Sequence, residues 1–154
     1  MRRLIDDGID PIGAFLEVAG SGNIDLVHAY LEAGVDINTI RSGKTALHHA
    51  VSSKKFSMVE YLLKHGADVE ASDPELKRTP LFEVNSSNSA LEGLPYLLQA
   101  GANINAQDAK GNTLLHEAIT CPDTALFSAL LKHGASLTLT EDNLASLFLN
   151  ATGI

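Results

Sequence analysis

The feature that most constrains this chain is that it repeats itself. Four segments end alike: YLEAGVDIN from Tyr30, LLKHGADVE from Leu62, LLQAGANIN from Leu97 and LLKHGASLT from Leu130. Their glycines, Gly34, Gly66, Gly101 and Gly134, follow one another at steps of thirty-two, thirty-five and thirty-three residues. Each closes an apolar run of helical spacing, where a left-handed cap is wanted and glycine takes it without strain. A single piece of this size cannot bury its own apolar face, so neighbours must stack.

Each ending has a matching start. TALHHAV opens at Thr45, TPLFEVN at Thr79 and TLLHEAI at Thr113, with a weaker GAFLEVA at Gly13. Threonine caps a helix by accepting from the free amides of the first turn, and Pro80 sits where a missing N–H costs nothing. The apolar slots Leu47, Ala50, Met58, Val59, Leu62 and Leu63 fit two short helices with one buried face each. Each unit therefore reads as an inner helix, a turn, an outer helix, a glycine stop and an extended loop.

The runs Thr45-Ala46-Leu47-His48-His49-Ala50 and Thr113-Leu114-Leu115-His116-Glu117-Ala118, with the divergent Thr79-Pro80-Leu81-Phe82-Glu83-Val84 and the tails GADVEA and GANINA, resemble the ankyrin repeat family, whose period is about 33 and whose motif is T-P-L-H-x-A. The resemblance covers roughly residues 10–140. It implies an all-α fold, a solenoid of stacked helix–turn–helix units with short β-hairpin-like loops. The expected organisation is a single domain over residues 1–154, with units at about 10–38, 39–72, 73–106 and 107–139 and a C-terminal capping stub at 140–154. Phe82 replaces the motif histidine in the third unit. Gly93 and Pro95 fall inside its outer helix, which is expected to start late or kink.

The excess of acids, nineteen against eleven bases for a net charge of −8, argues against a nucleic-acid partner and against docking on an anionic membrane. The single cysteine, Cys121, allows no intrachain disulfide, and the first residues are expected to be neither a leader nor a span. The expected location is the cytoplasm, with the nucleus open, and the expected free state is a monomer.

The chemical motifs fail on spacing. HEAIT at 116–120 has threonine where a zinc protease needs its second histidine, and GKT at 43–45 lacks the leading glycine of a phosphate loop, because Asn38 stands there. His65 and His133 sit at helix C-termini, where the dipole favours cations. His28 reads as a solvated side chain on the first outer helix. For His48 and His116 the resemblance implies a structural role, a bond to the neighbouring loop, rather than metal ligation. No metal, cofactor or catalytic residue is expected.

In a stacked array the inner helices and loop tips line the usual binding surface. The slot after the motif histidine holds Glu17, His49, Glu83 and Glu117; the tips hold Arg41 and Lys44, then Leu76, Lys77 and Arg78, then Lys110 and Asn112. The reading is a protein-interaction module, adaptor or inhibitor, that binds another protein through Arg41, Lys44, His49, Leu76, Lys77, Arg78, Glu83, Lys110, Asn112 and Glu117. A basic row above an acidic row would suit a partner with matching charge bands. The alternative is an enzyme or small-ligand binder using an acidic groove around His49, Glu83 and Glu117. The resemblance also makes Asn38 and Asn105 candidates for hydroxylation, which occurs in some family members.

Overall fold

A computed structural model of the chain describes residues 10–84, 90–120 and 124–137, together with Leu144. Cys121 and the capping stub expected at 140–154, Leu144 apart, lie outside the described residues.

The described helices are α1 (Pro11–Ser21), α2 (Ile24–Glu32), α3 (Ala46–Ser52), α4 (Phe56–Lys64), α5 (Gly93–Gln99), α6 (Leu114–Thr120) and α7 (Thr124–Lys132). Two short 3₁₀ turns, Pro80–Glu83 and Ala90–Glu92, precede α5. The extended loops are hairpin-like, and among the described residues one isolated antiparallel bridge, Arg41 to Lys44, is the only β pairing.

The four closing glycines have φ of 92°, 90°, 91° and 88°. At each, the same two bonds end the outer helix: Gly34 N to Leu31 O and Val35 N to Tyr30 O in the first, and their equivalents at Gly66, Gly101 and Gly134. This double closure satisfies carbonyls that the helix itself leaves open. It also turns the chain at the same angle each time, so the units can stack.

One core runs through the stack. Phe15, Leu47, Leu81 and Leu115 occupy the same inner slot and are all buried; Leu62, Leu97 and Leu130 do the same on the outer helices. Each such side chain contributes about 1.5–3 kcal/mol by leaving water.

The loops after the glycines form a second ladder. Asn38 Oδ1 accepts from Asp68 N at 2.8 Å, Glu70 Oε1 from Asn103 N at 2.8 Å, and Asn105 Oδ1 from Ser136 N at 2.8 Å. Asn38 and Asn105 therefore tie successive loops together, and the carboxylate of Glu70 does the work of an amide between them.

Three local departures follow from the sequence. The first helix opens at Pro11 rather than Gly13, because the Asp10 side chain caps it by accepting from Ile12 N at 3.1 Å. The third inner helix shrinks to the 3₁₀ turn Pro80–Glu83. The third outer helix does start late: counted from its glycine, the residue equivalent to Ile24 and Phe56 is Leu91, yet α5 opens at Gly93. Pro95 then lies in the first turn, where it disrupts no bond. A Cβ on Gly93 would lie 3.1 Å from the Phe56 ring, and that ring stacks on Tyr96 with centroids 6.0 Å apart. Glycine lets α5 close onto α4.

The third inner element, the 3₁₀ turn Pro80–Glu83, is shorter than α3 and is expected to open more readily. Amide hydrogen exchange should be roughly tenfold or more faster at residues 82–84 than at 49–52. Equal protection would show that the 3₁₀ turn is as stable as α3.

Candidate functional site

His48 is 1 % exposed and is held at both ring nitrogens. Thr45 N donates to His48 Nδ1 at 3.1 Å, and Thr45 Oγ1 lies 2.9 Å from the same atom. A backbone N–H can only donate, so Nδ1 accepts and the ring proton lies on Nε2. From there it donates to Arg78 O, 3.1 Å away in the next fingertip. Histidine thus completes a capping box of the kind glutamate or glutamine usually makes, and spends its second nitrogen on the neighbouring unit. His116 repeats the cap, with Thr113 N at 3.0 Å and Thr113 Oγ1 at 2.9 Å from Nδ1.

Burial lowers the His48 pKa, with Lys44 and His49 adding to the effect against the Arg78 bond and Glu83. His49, half-buried beside it, is also lowered, first by burial and then by Lys44, against Glu83 and Glu17. Both rings favour the neutral form in the fold.

The charged rows of inner helices and fingertips are joined to each other. Lys44 Nζ lies 3.0 Å from Glu83 Oε1, and Arg78 grips Glu117 with two bonds of 2.6 and 3.2 Å. Lys44 and Arg78 each reach the carboxylate of the following unit. Arg41 pairs with Asp10. The expected picture of a basic band above a separate acidic band therefore gives way to a ladder of neutralised rungs. The Glu83 side chain is only 13 % exposed. Burial alone would lower the Arg78 pKa, but the hydrogen bonds and charge of Glu117, with Glu83 and Asp108 behind, hold it above its ordinary value. At this exposure each rung contributes about 0.2–1 kcal/mol, the bidentate one at the upper end.

Two shallow recesses lie along this face. One, of about 340 Å³, is lined by Lys44, Leu76, Arg78, Phe82, Glu83 and Glu117 among others. The other, of about 490 Å³, brings Arg41 and His49 together with Asp10 and Glu17. Leu76 is 58 % exposed, as a candidate anchor should be. Its turn is built by Asp73, whose Oδ1 accepts from Glu75 N and Leu76 N. Lys77, at φ 53°, faces a different recess with Glu70 and Thr79. Lys110 and Asn112 stand at the following fingertip, where Asp108 Oδ1 accepts both their amides.

The fold and this geometry agree with the comparisons. The family description Ankyrin repeats (3 copies) matches residues 15–108, and Ankyrin repeat matches residues 110–142. The chain belongs to the ankyrin repeat family. Among its curated relatives, the B-cell lymphoma 3 protein homolog of Mus musculus is 37 % identical over 122 residues, covering 79 % of this chain and 25 % of that protein. RelA-associated inhibitor of Mus musculus is 28 % identical over 133 residues, covering 86 % and 12 %. L-asparaginase of Dirofilaria immitis is 30 % identical over 149 residues, covering 76 % and 25 %. The chain spans about a quarter of the length of the first relatives it matches.

In this ankyrin array the residues that sequence reasoning missed are Phe82 and Asp73. Asp73 carried a signal: an Asp ahead of Pro74 is a strong turn former. Phe82 was visible as a departure from the motif, but its contacts depend on Arg78 folding back over it. His28 is exposed on α2, as read, and its Nδ1 lies 2.9 Å from Tyr61 Oη. No described helix is long and apolar enough to cross a membrane. Among the described residues no three His, Cys, Asp or Glu side chains stand close enough to hold a metal ion.

The neutral tautomer of His48 fixes the sign of its pH effect. Unfolded, the ring takes a proton near pH 6.5; folded, it does so only at lower pH. The stabilisation is complete above the unfolded value and is lost as the pH falls below it, because the unfolded state then binds more protons. His48→Ala should cost about 2–4 kcal/mol at pH 7.5, from the lost cap and the orphaned Arg78 carbonyl. His48→Gln keeps a cap acceptor but cannot titrate, so its melting temperature should fall less steeply between pH 7 and 5 than that of the parent. An identical slope would remove His48 as a source of the pH dependence.

Proposed function

We propose that this ankyrin array is a protein-binding module, an adaptor or inhibitor, that docks a partner across the groove of inner helices and fingertips in its middle and last units. The observation that carries the reading is the recess holding an exposed Leu76 between the two ion-pair rungs, Lys44–Glu83 and Arg78–Glu117. An apolar anchor ringed by fixed polar pairs has the composition of an interface centre. Because each rung is internally neutral, docking here relies on shape and apolar contact more than on net charge. The name of the relative RelA-associated inhibitor, a protein that associates with another and inhibits, points the same way. The carboxylates Glu83 and Glu117 are each held by a cation, so the groove offers no uncompensated acid pair for general acid–base chemistry. His49 remains on the adjoining recess and belongs to the same docking face, with Arg41 at its edge. Lys77, Lys110 and Asn112 form its outer fingertips.

The test is affinity capture from cell lysate, followed by binding measurements on the captured protein. Leu76→Ala should weaken binding by about 1–2 kcal/mol, chiefly through faster dissociation. Arg78→Ala should weaken it as well. Glu60→Ala and Lys64→Ala, which break an exposed pair on the outer helix α4, should leave it unchanged. Loss with the α4 variants and silence of the groove variants would move the docking site to the outer face.

A further inference from the structure

Phe82 occupies the slot that the second and fourth units give to histidine, and the structure shows both what the exchange removes and what it adds. In those units the imidazole caps its threonine. In the third unit the Thr79 hydroxyl makes no cap bond, and its Oγ1 is buried with no hydrogen-bond partner, on a residue that is 5 % exposed. A buried polar atom left without a partner is destabilising and calls for an explanation. The aromatic ring supplies one. Arg78 Cζ lies 4.8 Å above the centre of the Phe82 ring, and the same guanidinium is the one that grips Glu117 with two bonds. The ring itself is 2 % exposed, so it is a fixed floor.

The three units form an internal comparison. The residue before the capping threonine and the residue in the histidine slot are Lys44 with His48, Arg78 with Phe82, and Asn112 with His116. Where the slot holds histidine, its neighbour is a point charge or a neutral amide. Where it holds phenylalanine, its neighbour is the planar cation that stacks on an aromatic face. A histidine could not serve both ends at once, because its two nitrogens are taken by the cap and the following fingertip, as His48 shows.

We propose that Phe82 is a positioning residue of the groove: it gives up the Thr79 cap to seat the Arg78 guanidinium flat and aim it at Glu117, so that the rung beside Leu76 is rigid before a partner arrives. The proposal deepens the docking reading above, but its test uses the free protein, so either can fail without the other.

The experiment measures the coupling between Arg78 and Glu117 by a double-mutant cycle on the full chain, in the parent, in Phe82→Leu and in Phe82→His. Phe82→Leu keeps an apolar side chain without the π face; the coupling should weaken by about two- to fivefold, the range of an exposed cation–π contact. Phe82→His should weaken it to a similar extent and also slow hydrogen exchange at the Thr79 amide by about tenfold, as the imidazole restores the cap. Undiminished coupling in Phe82→Leu would overturn the platform, and the leucine variant gives that answer even if the histidine variant does not fold. An unchanged Thr79 exchange rate in a folded Phe82→His would overturn the trade.

Discussion

The bond from His48 Nε2 to the carbonyl of Arg78 is the interaction around which the centre of this molecule is arranged. It is part-buried, and it crosses from one unit to the next. It works only because the other nitrogen is already committed to the Thr45 cap, which fixes the tautomer and the ring plane. Capping, a local event, and stacking, a long-range one, are thus done by a single side chain. Stability in such an array is a sum of weak units and stronger interfaces, and His48 contributes to both.

That bond also anchors one edge of the candidate docking face. The fingertip carbonyl it holds belongs to Arg78, whose side chain then reaches forward to Glu117, while Lys44 reaches forward to Glu83. On the opposite edge of the loops, Asn38, Glu70 and Asn105 accept from the next loop in the same forward direction. The apolar core between these two polar ladders has little directional preference, because hydrophobic burial is not directional. The ladders decide how each layer sits on the last.

The repeat, the helix pairs, the glycine stops and the histidine caps were legible in the chain because each is a local pattern with a local cause. Threonine, leucine and histidine at fixed offsets dictate the same turn wherever they recur. The late start of α5 was legible too, from Gly93 and Pro95. What the chain did not reveal were relations between side chains about one period apart. Lys44 and Glu83 were both singled out, yet nothing in their spacing says that they meet; that follows from the tilt of one layer on the next. The shortening of the third inner helix to a 3₁₀ turn was not legible either, and the unpartnered Thr79 hydroxyl goes with Phe82 in the slot where the histidine would cap. His28 is exposed as its position implied, but its bond to Tyr61 was hidden for the same reason, since Tyr61 lies on the next outer helix.

The forward direction of the ladders bears on how such a chain can change in length. Lys44 and Arg78 are equivalent positions, as are Glu83 and Glu117, and the carbonyl of Asn112 stands where that of Arg78 does. Excising one whole period would bring Lys44 to the place of Arg78 and let it meet Glu117 with every rung still in phase. Inserting one residue into a fingertip would instead misalign every contact across that boundary at once. At the fingertips the array is therefore suited to gaining or losing entire layers rather than single residues, a quantised kind of evolvability written into the even spacing of Thr45, Thr79 and Thr113, while the glycine steps show that the rest of a layer varies in length.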